Sequence, residues 1–156
     1  MGTDFRILVA LDLRAGTDQL LAEARLYANA FSATLDIIHV AEPDPDFVGY
    51  IKGDGSEKKP TQEDLIRDNK ASELRSEHAN AQAIGATLRA GGFQVGQVLT
   101  VEGPILETIL EHASKLGSSL LILGSRQHSA LYRLWYGDTA AGAAKQPPCP
   151  LLVVPI

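Results

Sequence analysis

The sequence predicts a doubly wound α/β fold: a five-stranded parallel sheet in the order 3-2-1-4-5 with helices on both faces, forming a single domain over residues 1–156. Three observations carry that expectation. Short apolar runs alternate with longer segments whose apolar residues recur at helical spacing. The runs, such as Arg6–Leu11 and Thr34–Val40, are nearly continuous rather than alternating with polar residues, which suits strands buried on both faces of a parallel sheet. Strand–helix alternation then requires right-handed crossovers that cover both faces.

The first strand, Arg6–Leu11, is closed by Asp12, and a turn containing Gly16 follows. Leu20, Leu21, Ala24, Tyr27, Ala28 and Phe31 then form one apolar helical stripe. Thr34–Val40, read TLDIIHV, is a second strand rich in β-branched residues. Residues 41–60 turn to proline, glycine and the charged run EKK, the composition of a long exposed loop, either a lid or an insertion. Thr61 and Asp64 fit a capping box. Leu65, Ala71, Leu74, His78, Ala81, Ile84 and Leu88 support a long helix that Gly91 and Gly92 terminate. Phe93–Val101 is the third strand, and Pro104 opens a helix whose buried face is Ile105, Leu106, Ile109, Leu110, Ala113 and Leu116, stopped by Gly117. Leu120–Leu123 is the fourth strand. Short helices are expected over Ser129–Tyr136 and Thr139–Lys145, and Leu151–Val154 is a fifth strand behind the breaker PPCP.

Composition narrows the function classes. An apolar content of 45% and a charged content of 21% are those of an ordinary globular protein, and a formal charge of -5 argues against nucleic acid or anionic membrane as a partner. No apolar run approaches the roughly 20 residues of a membrane span, and MGTDFRILVALDL moves into a strand without a basic leader, so the expected location is the cytoplasm. The one cysteine, Cys149, has no partner for an internal disulfide or a cysteine metal site. The histidines His39, His78, His112 and His128 are scattered singly, so no metal is predicted, and His39 reads as a hydrogen-bonded core histidine. There is no GxxxxGK[ST] loop and no GxGxxG, and GSRQH lacks the G-x-S-x-G elbow, so no catalytic residue is nominated.

In a sheet of this order, ligands bind outside the carboxyl ends of the strands where the order reverses. Asp12 ends the first strand and Gly124 follows the fourth, so two residues distant in sequence are expected to flank one crevice.

The segments ILVALD, LLILGS, a glycine at 137 and the closing PCPLLVVP, in this order over nearly the whole chain, resemble the universal stress protein family. Members that bind ATP carry a loop patterned G-x2-G-x9-G-[ST], whose small residues let backbone amides approach phosphates. Laid on this sequence, the pattern falls on Gly124, Gln127, Gly137 and Asp138, so two of its four positions are kept. Gln127 places a side chain in the phosphate path. Asp138 places a carboxylate where a hydroxyl is expected, and at ~4 Å from a polyphosphate this costs about 1 kcal/mol in water and about 4 kcal/mol at a protein-like dielectric. Arg126, Arg133 or His128 offer partial compensation, and Thr139 supplies a hydroxyl one position late. The resemblance further implies that Asp12 lies beside the adenosine and that the backbone of Val40 meets the adenine.

The implied ligand is therefore ATP, ADP or AMP, with triphosphate held weakly, and the implied partner is a second copy of the chain paired through the C-terminal strand in PLLVVPI. Each position also has a purely structural account. Asp12 caps the turn before the first helix, Asp138 caps a helix beginning at Thr139, Arg126 and Arg133 are solvated charges, and Trp135 and Tyr136 pack on the sheet or on a partner. The expected function is a non-catalytic regulator of the universal stress protein type. A slow ATPase or nucleotide-processing enzyme, and a protein-interaction adaptor with no small ligand, are the alternatives.

Overall fold

The computed structural model describes residues 4–41, 62–127 and 147–156. The expected loop beyond Ala41, the capping residue Thr61, the two short helices over 129–136 and 139–145, and with them Gly137, Asp138 and Thr139, lie outside the described residues. The elements run β1 (Arg6–Leu11), α1 (Thr17–Phe31), β2 (Thr34–Ala41), α2 (Gln62–Ala90), β3 (Gln94–Glu102), α3 (Ile105–Lys115), β4 (Leu120–Gly124), a 3-10 turn at Ser125–Gln127, and β5 (Leu151–Val154). All strand pairs are parallel and the order is β3-β2-β1-β4-β5, as the sequence predicts.

Successive side chains of a strand point to opposite faces, and β1 supplies both cores at once. Ile7, Val9 and Leu11 pack with Leu20, Leu21, Ala24 and Ala28 of α1 and Leu88 of α2. Leu8 and Ala10 pack with Leu106, Ile109, Leu110 and Ala113 of α3. That two-sided burial is why the strand sequences do not alternate. Three helical details differ from expectation. Phe31 is 50% exposed and stacks on Phe5 with ring centroids 4.5 Å apart, so the buried stripe of α1 ends before it. Pro104 caps α3 from one position outside the helix. In α2, Ala81 and Leu88 are buried while Ala71 and His78 are exposed, so over residues 69–90 the fully buried positions lie in the later turns.

One fully buried carboxylate is built into the sheet. Asp36, in the middle of β2, is 0% exposed, and its carboxylate accepts hydrogen bonds from Arg6 Nε at 3.0 Å, Arg6 Nη2 at 2.7 Å and the Gln97 backbone N–H at 2.8 Å. The pairing of β2 with β3 passes from Leu35↔Val95 to Ile37↔Val98, so β3 carries an extra residue here. This bulge turns the Gln97 N–H toward the carboxylate. Gly96 is required beside it, because a Cβ at that position would meet both the Asp36 carboxylate and the Arg6 guanidinium. The hydrogen bond to Asp36 raises the Arg6 pKa against the opposing effect of burial. On the α3 face, Cys149 is buried, and that burial pushes its thiol pKa up.

Candidate functional site

At the carboxyl ends of β1, β2 and β4 the structure leaves a cavity of about 400 Å³. The end of β1 contributes Leu11 and Asp12, β2 contributes His39 and Val40, and β4 contributes Gly124, with Arg126 and Gln127 in the turn beyond it. The crevice expected from strand order is thus present, and Asp12, Val40, Gly124, Arg126 and Gln127 all line it.

Asp12 organises the loop after β1. One carboxylate oxygen accepts the Arg14 N–H at 3.1 Å, the turn-capping bond that its structural account requires. The other accepts Arg126 Nη1 at 2.9 Å, and Arg126 Nη2 also donates to the Ala15 carbonyl. Arg126 is therefore not a free solvated charge, since it ties the β4 turn to the β1 loop across the crevice. Between these bonds Leu13 sits in the left-handed region with φ 58, a conformation that costs a branched residue about 1–2 kcal/mol. An ionised carboxylate has about four acceptor positions, so Asp12 retains capacity for a ligand hydroxyl.

Gly124 has a packing reason to be glycine as well as the one the loop pattern implies. A Cβ there would run into the side chain of Ile156, and a Cβ on Gly16, itself at φ 98, would lie 2.9 Å from Ile156 Cβ. Ile156 is held by the Ser125 hydroxyl, which accepts its N–H at 3.0 Å and donates to its carbonyl at 3.2 Å. Ile156 thereby forms part of the cavity wall.

His39 is hydrogen-bonded on both ring nitrogens, with Nδ1 2.8 Å from the Leu11 carbonyl and Nε2 3.1 Å from Glu77 Oε2. Glu77 belongs to a stripe of α2, Lys70, Glu73, Leu74 and Glu77, spaced i, i+3, i+4, i+7, that borders the cavity. The sequence reading named Leu74 only as part of the helical pattern and missed its ionisable neighbours and Ile156. The signal for the stripe was a helical period in ionisable residues, which a search for apolar periodicity passes over.

Among the described residues, four carboxylates (Asp12, Glu73, Glu77, Glu102) face three cations (Arg14, Lys70, Arg126) around the cavity. Of the three cations, Arg126 is committed to Asp12. No group of three or more His, Cys, Asp or Glu among the described residues is placed to hold a metal ion, and none of their helices is long and apolar enough to cross a membrane.

This sheet order, with a lined cavity at its switch point, defines a doubly wound α/β protein with a ligand-type crevice. The family model described as the universal stress protein family matches residues 5–155, and the chain belongs to that family. It is similar to a Thermus aquaticus protein described as a universal stress protein in the QAH/OAS sulfhydrylase 3′ region, with 28% identity over 148 residues that cover 95% of this chain and 96% of the relative. Among solved structures, the hypothetical protein MJ0577 superposes with a TM-score of 0.65 at 20% identity, covering 97% of this chain and 95% of that one. A universal stress protein in complex with cAMP gives 0.58 at 18% identity, covering 96% of each chain. An Arabidopsis thaliana member with AMP bound gives 0.58 at 13% identity, covering 97% of this chain and 91% of that one. These structures share the fold.

Proposed function

We propose that the cavity is a nucleoside-type site, and that the chain is a non-catalytic universal stress protein regulator that takes adenosine or AMP more readily than ATP. The observation that carries this reading is the meeting of Asp12 and the end of β2 at Val40 around one cavity at the switch point. A carboxylate to accept ribose hydroxyls then stands near a backbone edge to meet a base. The relatives solved with cAMP and AMP support the ligand class. Weak grip on triphosphate follows from the acidic balance of the cavity, from Arg126 being paired with Asp12, and from Gln127 and Asp138 in the loop pattern.

Calorimetry with adenosine, AMP, ADP and ATP tests the proposal, and mass spectrometry of the protein as purified would detect a carried nucleotide. Adenosine and AMP should bind, with ATP at least about tenfold weaker than AMP, a difference of about 1.4 kcal/mol. The double substitution Gln127→Gly with Asp138→Ser should strengthen ATP binding by roughly ten- to a hundredfold, within the about 1–4 kcal/mol of repulsion it removes. An unchanged ATP affinity would overturn the account of the loop.

A second reading has its own support. The Arg126–Asp12 bridge and the packing of Ile156 against Gly16 and Gly124 are also what a closed, disused pocket would show in an adaptor that binds only proteins. Calorimetric silence toward all four compounds decides for it.

We also propose a homodimer paired through β5. That strand lies at the sheet edge, and Leu151, Leu152 and Val153 on it are only partly buried, an apolar edge that a second copy would cover. Sedimentation at micromolar concentration should give a dimer, and monomer alone would remove this part.

A further inference from the structure

We propose that His39 is a positioning residue of the cavity: it fixes the end of β1 through the Leu11 carbonyl and, through Glu77, holds the turns of α2 around residues 70–77 in place as one wall. Its effect on ligand affinity rests on the nucleoside-site reading above, whereas its effect on α2 does not.

His39 is only 5% exposed, and Leu11 is its register partner on β1. A carbonyl oxygen only accepts, so Nδ1 carries a proton and donates it to Leu11. That bond fixes the ring plane and steadies the peptide immediately before Asp12. Nε2 is then aimed at Glu77 Oε2, and one proton shared between those two atoms, resident on either, completes the bond. A single buried side chain thus connects β1, β2 and α2 at the cavity rim.

The connection matters because the described part of α2, from residue 69 on, is anchored unevenly. From Ala81 onward the helix buries Ala81, Gly85 and Leu88 against the sheet. Between residues 69 and 80 every residue is exposed except Leu74 and Glu77, which are half-buried. The exposed His78 adds a bond of 3.3 Å to Thr100. Among the described side chains of this stretch, half-buried Leu74, the His39–Glu77 bond and that peripheral bond are therefore what set residues 69–80 against the body. The same stretch presents Lys70, Glu73, Leu74 and Glu77 to the cavity, so whatever fixes its position also fixes the width of the cavity. Helical segments with few buried apolar contacts open locally at low free energy, and one internal hydrogen bond is then a large share of what keeps them closed.

Amide hydrogen exchange on the ligand-free protein tests the clamp, and adenosine titration tests its consequence. Glu77→Ala should raise exchange of the amides of residues 70–77 about five- to tenfold while leaving residues 81–90 at wild-type rates. Glu77→Gln should stay close to wild type, because its amide can donate to Nε2 of the neutral ring. His39→Asn, whose amide can replace Nδ1 but cannot reach Glu77, should reproduce the alanine pattern. If that buried substitution does not fold, the half-exposed Glu77 pair still decides. Adenosine affinity should fall several-fold in Glu77→Ala and return in Glu77→Gln. Wild-type exchange over 70–77 in Glu77→Ala, an equal rise over 81–90, a glutamine variant indistinguishable from alanine, or raised exchange with unchanged adenosine affinity would each overturn the proposal. If the wild-type protein binds neither adenosine nor AMP, the proposed function fails, while the exchange data still report on the clamp.

Discussion

Arg6→Ala should lower the stability of the protein by about 3–5 kcal/mol, the cost of removing one partner from a buried ion pair and leaving the other uncompensated. The asymmetry of the pair makes this substitution the severe one. Asp36 is 0% exposed and would keep, among the described residues, only the Gln97 N–H as a donor, whereas Arg6 is 25% exposed and lies 3.8 Å from the exposed Asp4. Asp36→Ala should therefore cost less, because the freed guanidinium can hydrate and the main loss is an unpaired Gln97 N–H, about 1–3 kcal/mol. Replacing both, as Arg6→Met with Asp36→Leu, should recover most of the loss, since no buried charge remains. Urea denaturation reads the difference as a midpoint shift of roughly 1–3 M for Arg6→Ala. The pH dependence has a definite sign. A group whose pKa is raised by folding contributes stability at every pH below its unfolded value and loses it only as pH rises through the folded one. Because the Arg6 pKa is raised, the gap between wild type and Arg6→Ala should not shrink between pH 7 and 9. An Arg6→Ala loss below about 1 kcal/mol, or one no larger than that of Asp36→Ala, would contradict this account of the bulge between β2 and β3.

That ion pair also marks the limit of what the sequence discloses. The strands were legible because burial on both faces leaves a nearly continuous apolar run, and Leu151–Val154 was placed to the residue by the proline-rich breaker before it. Strand order follows from alternation and handedness, and that order alone brings Asp12 and Gly124 to one crevice. Within the same runs, Asp36 was passed over as one polar letter in TLDIIHV. Its partners lie 30 and 61 positions away, and the bulge that joins them depends on register between strands, which no local pattern encodes. The cavity divides in the same way. Asp12 and Val40 could be nominated because they end strands. Glu77 and Ile156 could not, because their roles arise from long-range contacts to His39 and to Gly16 and Gly124. His39 was readable as a hydrogen-bonded core histidine, but its partners were not.

Asp12→Ala should reduce adenosine affinity by roughly ten- to a hundredfold or more, if the carboxylate accepts a ribose hydroxyl as proposed. A hydrogen bond to a charged group contributes about 1.5–3 kcal/mol, which corresponds to that range. A loss of this kind cannot be confused with unfolding. Asp12 and Arg126 are 21% and 34% exposed, and an ion pair of that exposure contributes about 0–1 kcal/mol to stability. The same substitution frees the Arg126 guanidinium, leaving it the Ala15 carbonyl as its remaining partner among the described residues, and takes one negative charge from a cavity proposed above to disfavour polyphosphate. ATP should therefore lose far less affinity than adenosine, and the preference for adenosine over ATP should narrow or invert. Asp12→Asn separates the two effects, because its amide oxygen can still accept the Arg14 N–H while the ion pair to Arg126 is gone. It should keep the loop in place, recover part of the adenosine affinity and show the same relative gain for ATP. Calorimetry on the two variants with adenosine and ATP supplies the four numbers required. Wild-type adenosine binding in Asp12→Ala would remove Asp12 from the site, and an equal loss for both ligands would mean that Arg126 is not what holds phosphate at a distance.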